Sequence, residues 1–343
     1  MSLEQLIRLA VDRPLSIEEA EAAFDEVMQG RATPVQIAAL LVGIRARGAA
    51  PDEVAGGVRA LRRAMVPVDV HDVVGVIDTC GTGGGSVTTF NISTAAALLV
   101  SGLGVKVAKH GNRSFSSRCG SADVLEALGV GLEASPQRKA EILNEIGIVF
   151  LFAPAHHPAM RHVGPIRKEL GMFTIMNLLG PLTNPVRVRR QVVGVSDPAL
   201  LELVARALAA LGHEHALVVH GEPGLDELSP LGATRILEVR NGEIEAYDFL
   251  PDRDLGWSGF SAEDLAGGEP AENAAVIADV LQGRGKGTAR AAVLLNAAAA
   301  LLVADRVDSL VDGVAEAERA LDGGAGWSQL ERLRTATWTA AGT

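Results

Sequence analysis

Over the first 65 residues the apolar positions recur at helical spacing and at no other. Leu3, Leu6, Ile7 and Ala10 share one helical face. Ser16 with Glu19, and Thr33-Pro34-Val35-Gln36, have the form of capping boxes, the second with proline at the first helical position. The segment from Val35 to Ile44 is apolar enough to be buried on most sides, so this helical unit must pack against something else.

At Val66-Pro67 a linker begins and the pattern changes. Short β-branched runs at 73–77, 105–108, 148–152, 191–195 and 216–220 alternate with helical stretches at 93–103, 121–129, 136–146 and 198–211. That alternation predicts an α/β unit with a mainly parallel sheet covered on both faces. Residues 235–239 and 243–249, joined at Asn241-Gly242, predict a hairpin at the sheet edge. Helices return at 270–282, 287–304, 307–321 and 326–338, and there is no internal repeat.

A chain of 343 residues with 48% hydrophobic content can fill a core for two structural units. Met1 to Arg13 carries acids in an amphipathic pattern, unlike a secretory signal, and the apolar runs at 95–103 and 291–304 are too short, or too soon followed by charge, to span a bilayer. A soluble, cytoplasmic protein is expected. Two cysteines, Cys80 and Cys119, exclude a disulfide framework and a four-cysteine zinc site, and each is expected to be a small buried side chain. The net charge of −11 argues against nucleic acid as the main partner. Between Lys106 and Arg118, however, Lys106, Lys109, His110, Arg113 and Arg118 occur with no acid among them, an island suited to a small polyanion.

Four segments carry candidate chemistry. Asp78-Thr79-Cys80-Gly81-Thr82-Gly83-Gly84-Gly85 follows the first strand, and its glycines let backbone N–H groups reach an anion without Cβ atoms in the way. The spacing fits neither a dinucleotide fingerprint nor a P-loop. A plain tight turn remains possible for the loop alone, but Thr88, Thr89, Asn91, Ser93 and Thr94 lead into an apolar helix, and such a helix start is an anion site as well as an N-cap. Lys109-His110-Gly111-Asn112-Arg113-Ser114, with Ser116, Ser117, Gly120 and Ser121, lies at the end of the next strand, where ligands of open parallel sheets gather. Asp226-Glu227, beyond another strand end, suits Mg²⁺, although such a pair also occurs in solvated turns. Arg167, ahead of an uncharged stretch closed by Gly180-Pro181 and Asn184-Pro185, is a natural carboxylate partner, or else a surface ion-pair residue. His156-His157 lacks a carboxylate or cysteine at metal-ligand spacing, so a packed or hydrogen-bonded pair is expected.

In order and separation these motifs resemble the anthranilate phosphoribosyltransferase family over nearly the whole chain: the glycine loop with Asn91-Ile92-Ser93-Thr94, Lys109-His110-Gly111-Asn112-Arg113, Gly120-Ser121-Ala122-Asp123, the stretch from Asn177 to Pro185, and Asp226-Glu227. The resemblance implies a small helical domain at 1–65, with a further helical contribution from about 164–184, and a larger α/β domain at 66–343. It implies that phosphoribosyl pyrophosphate is surrounded by Gly81, Thr82, Gly83, Gly84, Gly85, Thr89, Asn91, Ile92, Ser93, Thr94, Lys109, His110, Gly111, Asn112, Arg113, Ser114, Phe115, Ser116, Ser117 and Ser121. Ser93, Asp226 and Glu227 would hold Mg²⁺, and Gly81, Asn112 and Arg167 would contact anthranilate. The implied reaction moves a phosphoribosyl group to the anthranilate amine in tryptophan biosynthesis, in a homodimer, with no general base assigned.

Two departures stand out. The family commonly has aspartate where this chain has Gly85, and often arginine where it has Phe173. The nearest alternatives are a pyrimidine nucleoside phosphorylase, which carries an extra C-terminal domain, and a nucleic-acid-binding relative, which would show a basic face.

Overall fold

The structure, a computed structural model, describes residues 1–114, 118–285 and 287–338. Four helices come first: α1 (Leu3–Asp12), α2 (Ile17–Met28), α3 (Pro34–Arg47) and α4 (Pro51–Ala64). The Ser16/Glu19 and Thr33/Gln36 boxes close both ways, side chain to backbone and back, and Ser2/Gln5 forms a third. The expectation that Val35 to Ile44 is buried on most sides is corrected. Helix α3 buries Ile37, Leu40, Leu41 and Ile44 against α1 and one later helix, while Val35 and Val42 stand exposed on its free side.

The α/β unit runs β1 (Ile77–Gly81), α5 (Ile92–Gly102), β2 (Val107–Gly111), α6 (Ser121–Ala127), α7 (Pro136–Ile146), β3 (Ile148–Phe152), α8 (Ala153–His156), α9 (Gly164–Leu170), α10 (Met176–Leu179), β4 (Arg190–Gly194), α11 (Leu201–Ala210), β5 (His215–Gly221), β6 (Thr234–Arg240) and β7 (Glu243–Phe249). It ends with α12 (Pro251–Leu255), α13 (Pro270–Leu281), α14 (Gly287–Val303), α15 (Leu310–Asp322) and α16 (Ala325–Trp338). The strands form one sheet in the order β3-β2-β1-β4-β5-β6-β7, parallel from β3 through β5 and antiparallel at β5/β6 and β6/β7.

Two strand limits differ from expectation: β2 runs from Val107 to Gly111 instead of over 105–108, which takes Lys109 and His110 into the sheet, and the first strand starts later. Val73 to Ile77 is not the first strand: Gly75, at φ +72°, turns the chain, and the Val76 N–H donates back to the Val73 carbonyl at 3.1 Å. Extended pairing starts at Ile77, so the first strand carries Asp78, Thr79 and Cys80 into the sheet.

Alternation along the strands divides the interior in two. Val192, Leu217, Val219 and Ile236 face a core shared with α5, α14 and α16, whereas Val193, Val195, Ala216, Val218 and Leu237 face a core continuous with α11, the four N-terminal helices and the segment from Val163 to Leu182. Leu61 of α4 lines a cavity with His110 and Asn112, so the carboxyl end of β2 opens beside the helical unit. Among the described residues no helix is long and apolar enough to cross a membrane.

Candidate active site

The loop after β1 is glycine-rich for steric reasons. Gly83 and Gly84 sit at φ +66° and +80°, the left-handed region that side chains avoid. A Cβ on Gly81 would lie 2.6 Å from Asp226 Oδ2, and one on Gly85 would lie 2.9 Å from the Gly224 carbonyl. The Thr82 N–H donates to the Gly194 carbonyl at 2.9 Å, and the Ser86 N–H to that of Gly224 at 3.1 Å, so the loop is tied to the ends of β4 and β5. Thr89 pairs by its backbone with Ala266.

At the start of α5 the side chains divide their tasks. Ile92 is buried in the core, and Asn91 caps nothing with its side chain, which donates to the Cys119 carbonyl at 3.2 Å and accepts from Asn273 at 3.0 Å. The Ser93 N–H donates to Glu227 Oε1 at 3.1 Å. Thr94 Oγ1 is buried without a hydrogen-bond partner among the described residues.

The end of β2 supplies a buried ammonium. Lys109 Nζ donates to the Thr79 carbonyl at 2.5 Å and to Ser93 Oγ at 3.2 Å, which joins both strand ends to the helix start. Burial lowers its pKa, and Asp78 opposes the change. Burial also holds His110 well below its ordinary value, so its ring is neutral at pH 7. Asn112 is exposed, and its carbonyl accepts from the Ala122 N–H at 3.1 Å and from Ser121 Oγ at 3.4 Å. The Arg113 guanidinium is engaged with Asp123 at 3.0 Å and with Glu126, and Asp123 also accepts from the N–H groups of Ser114 and Gly120. The acid-free island is thus closed by acids one helix later. Phe115, Ser116 and Ser117 lie outside the described residues.

Asp226 and Glu227 bring two partly buried carboxylates to the same place. Asp226 Oδ2 accepts from the Gly83 N–H at 2.9 Å, as Glu227 does from Ser93. Burial raises the pKa of both, and the neighbouring Asp226 helps push Glu227 up to about 8. Among the described residues no third histidine, cysteine or acid joins them as a metal cluster. The Ser93 side chain is also within hydrogen-bond reach of Glu227.

Beyond the β2 end lies a cavity of about 510 Å³, lined by His110, Asn112, His157, Arg167, Met176 and Gly180 among others. Arg167, on α9, is partly buried, and no described residue forms a hydrogen bond or ion pair with its guanidinium. The surface ion-pair reading of Arg167 is therefore set aside. The His110 and His157 rings lie 5.2 Å apart, and each leaves Nε2 buried without a hydrogen-bond partner among the described residues. Burial lowers His157 to about 4. His156 is hydrogen-bonded to Lys139 at 2.9 Å and to the Val66 carbonyl at 2.9 Å, as a packed histidine pair would be. Phe173 packs against the helical core with Arg45 over its ring.

Sequence reasoning overlooked Asp78 and Asn184. Asp78 is fully buried, accepts from the His110 N–H at 3.1 Å and from Asn184 Nδ2 at 2.8 Å, and is raised to about 6 by burial. No local signal marked the pair, because the sequence reads Asp78 as following the strand and only the structure places it inside β1.

Comparison with known proteins agrees with this architecture. A glycosyl transferase family α/β domain matches residues 74–327, and the helical bundle domain of a glycosyl transferase family matches residues 3–65. An anthranilate phosphoribosyltransferase from Thermomicrobium roseum is 50% identical over 331 residues, 96% of this chain and 95% of that protein. The crystal structure of anthranilate phosphoribosyltransferase from Thermus thermophilus superposes with a TM-score of 0.91 at 46% identity, covering 97% of this chain and 99% of that one. The enzyme from Saccharomyces cerevisiae, in complex with PRPP and Mg, gives 0.89 at 26% identity and covers 98% of each chain.

Proposed function

From the premise that this chain belongs to the anthranilate phosphoribosyltransferase family, we propose how its crevice transfers the 5-phosphoribosyl group of phosphoribosyl pyrophosphate to the amine of anthranilate in tryptophan biosynthesis. The donor occupies the loop from Gly81 to Gly85, the start of α5 and the segment after Lys109. Anthranilate enters the cavity with its carboxylate on Arg167 and its ring beside Asn112 and Gly180. The observation that carries this reading is Arg167, a partly buried cation without a partner among the described residues, in a cavity that shares His110 and Asn112 with the anion-facing strand end. An unpaired buried charge is costly, and an arginine fork matches a carboxylate.

In the reaction the bond from ribose C1 to a pyrophosphate oxygen breaks with its electron pair on oxygen, and the amine lone pair forms the new C1–N bond. The chain aligns the two reactants and stabilises the departing charge with Lys109 and loop N–H groups. The amine then sheds a proton to solvent, and no strong base is required.

Mg²⁺ fits the residues present. Asp226, Glu227 and the Ser93 hydroxyl form an all-oxygen donor set, and a cation would relieve the repulsion that raises Glu227. When bound with the donor's pyrophosphate, it would neutralise charge on the leaving group. We place the protein in the cytoplasm as a homodimer joined through the helical unit at 1–65, with 164–184 packed on it and 66–343 as the second unit. Val11, Val35 and Val42, exposed on α1 and α3, support that face.

A fluorescence assay tests the proposal. Anthranilate emission should fall only when enzyme, phosphoribosyl pyrophosphate and Mg²⁺ are all present. A constant signal together with phosphorolysis of a pyrimidine nucleoside would overturn it.

A further inference from the structure

Adjacent parallel strands in this sheet are paired over five positions at β1/β4, β2/β3 and β4/β5, whereas β1 and β2 meet only at Ile77 and Val107. Beyond that contact the two strands part. Backbone groups freed inside a sheet need other partners, and here side chains supply them. The Thr79 carbonyl takes Lys109 Nζ at 2.5 Å, the Ala108 carbonyl takes Asn184 Nδ2 at 2.7 Å, and the His110 N–H donates to Asp78 Oδ1 at 3.1 Å. Asn184 Nδ2 also donates to Asp78 Oδ2 at 2.8 Å, while its Oδ1 accepts from the Val186 N–H at 2.9 Å. Asp78, Thr79, Ala108, Lys109, His110 and Asn184 are all buried. The gap is a built feature of the sheet, not a frayed end.

We propose that Asp78 and Asn184 act as a spacer that holds the carboxyl ends of β1 and β2 at a fixed separation, and so sets the distance between the two substrates. The inference rests on the reading of the site given above. The donor loop continues directly from β1, and the acceptor cavity begins at His110 and Asn112 at the end of β2. Whatever fixes those two strand ends fixes the approach of the amine to ribose C1. Reacting atoms must come within about 3.5 Å, and a misplacement of about 1 Å costs roughly a hundredfold in rate. Asp78 and Asn184 are positioning residues, because their side chains bond to the strands and to each other.

The two also answer different demands of the gap. Asn184 supplies a donor to both sides of it, to the β2 carbonyl and to the β1 carboxylate. Asp78, an acceptor only, returns a bond to the β2 N–H. An aspartate at 184 leaves the Ala108 carbonyl unpaired and sets two carboxylates against each other.

The test is steady-state kinetics and calorimetric binding on the full chain for Asn184→Asp, Asn184→Ala and the exchanged pair Asp78→Asn with Asn184→Asp. The inference predicts that each single variant loses on the order of a hundredfold in kcat while the Kd of each substrate moves by less than about threefold. The exchanged pair, which removes the clash of two carboxylates and restores the 78–184 hydrogen bond although not the donor to the Ala108 carbonyl, should recover at least about tenfold of the kcat lost by Asn184→Asp. Unchanged kcat with a lower melting temperature would show a purely structural pair and overturn the inference, as would loss of substrate affinity without loss of kcat. If the single variants do not fold, Asn184→Gln decides, because it keeps the amide but lengthens the arm across the gap: near wild-type Kd values with reduced kcat support the spacer, and wild-type kcat refutes it. Absence of transfer by the wild-type protein would instead sink the reading of the site itself.

Discussion

Asp226 Oδ2 accepts a hydrogen bond from the Gly83 N–H at 2.9 Å across a sequence separation of 143 residues. The same oxygen lies 2.6 Å from where a Cβ on Gly81 would stand. The acidic turn after β5 therefore shapes the glycine loop as well as offering oxygens to the Mg²⁺ proposed above. Substituting Gly81→Ala should push the Asp226 carboxylate aside, weaken the apparent affinity for Mg²⁺ by about tenfold or more and lower kcat. Mg²⁺ titration of activity checks this, and an unchanged titration curve would show that the contact has no functional weight.

Arg167 should separate the two substrates kinetically. Truncation in Arg167→Ala removes a charge-assisted interaction of about 1.5–3 kcal/mol, which corresponds to a rise in the anthranilate KM of roughly tenfold to a hundredfold. The KM for phosphoribosyl pyrophosphate should stay within about twofold. Arg167→Lys should recover little, because a single ammonium cannot form the two-pronged contact. Equal changes in both KM values would remove Arg167 from the acceptor carboxylate.

Glu227 gives the metal-free protein a pH signature. Its pKa, raised from the ordinary 4.5 to about 8 by burial and by Asp226, is higher in the folded than in the unfolded chain. A group shifted in that direction favours the fold fully below its unfolded value and loses the contribution as pH rises through the folded one. Between pH 4.5 and 8, without Mg²⁺, the melting temperature of the wild type should fall relative to that of Glu227→Gln, and Mg²⁺ should restore only the wild type. Parallel melting profiles for the two proteins would contradict this.

Placing at position 85 the aspartate that the family resemblance leads one to expect should not create a metal ligand. The Gly85 Cβ position is 2.9 Å from the backbone carbonyl of Gly224 and 3.6 Å from Asp226 Oδ1. Gly85→Asp must displace the turn at 222–226 and sets a third carboxylate beside two that already repel. We expect a stability loss of about 1–3 kcal/mol, read as a lower melting temperature, and no reduction in the Mg²⁺ needed for half-maximal activity. Tighter Mg²⁺ use by this variant would show that the turn yields.

The repeating parts of the fold were legible because burial imposes a period. Helices α5, α7 and α13 and the hairpin β6/β7 lie within a residue or so of their expected limits. The first strand was misplaced because Val73, Val74 and Val76 look extended while Gly75 turns them back. Val35 and Val42 were assigned to the interior because hydropathy does not say which side of a helix has a neighbour. In the site, the glycines, Lys109 and the acidic pair carry local chemical signals. The partners of Arg113, the cross-tie of Asn91 to Asn273 and the Asp78/Asn184 pair do not, since each depends on how distant strand ends meet.

The central claim is that one crevice holds the donor on the loop from Gly81 to Gly85 and the acceptor on Arg167. A crystal structure of the protein with phosphoribosyl pyrophosphate, Mg²⁺ and an unreactive anthranilate analogue tests it most directly. The account predicts the pyrophosphate over the glycine loop with the metal at Asp226 and Glu227, and the analogue's carboxylate within hydrogen-bond distance of the Arg167 guanidinium with its ring in the cavity. An analogue bound with its carboxylate elsewhere, or a pyrophosphate away from Lys109 and the glycine loop, would contradict it.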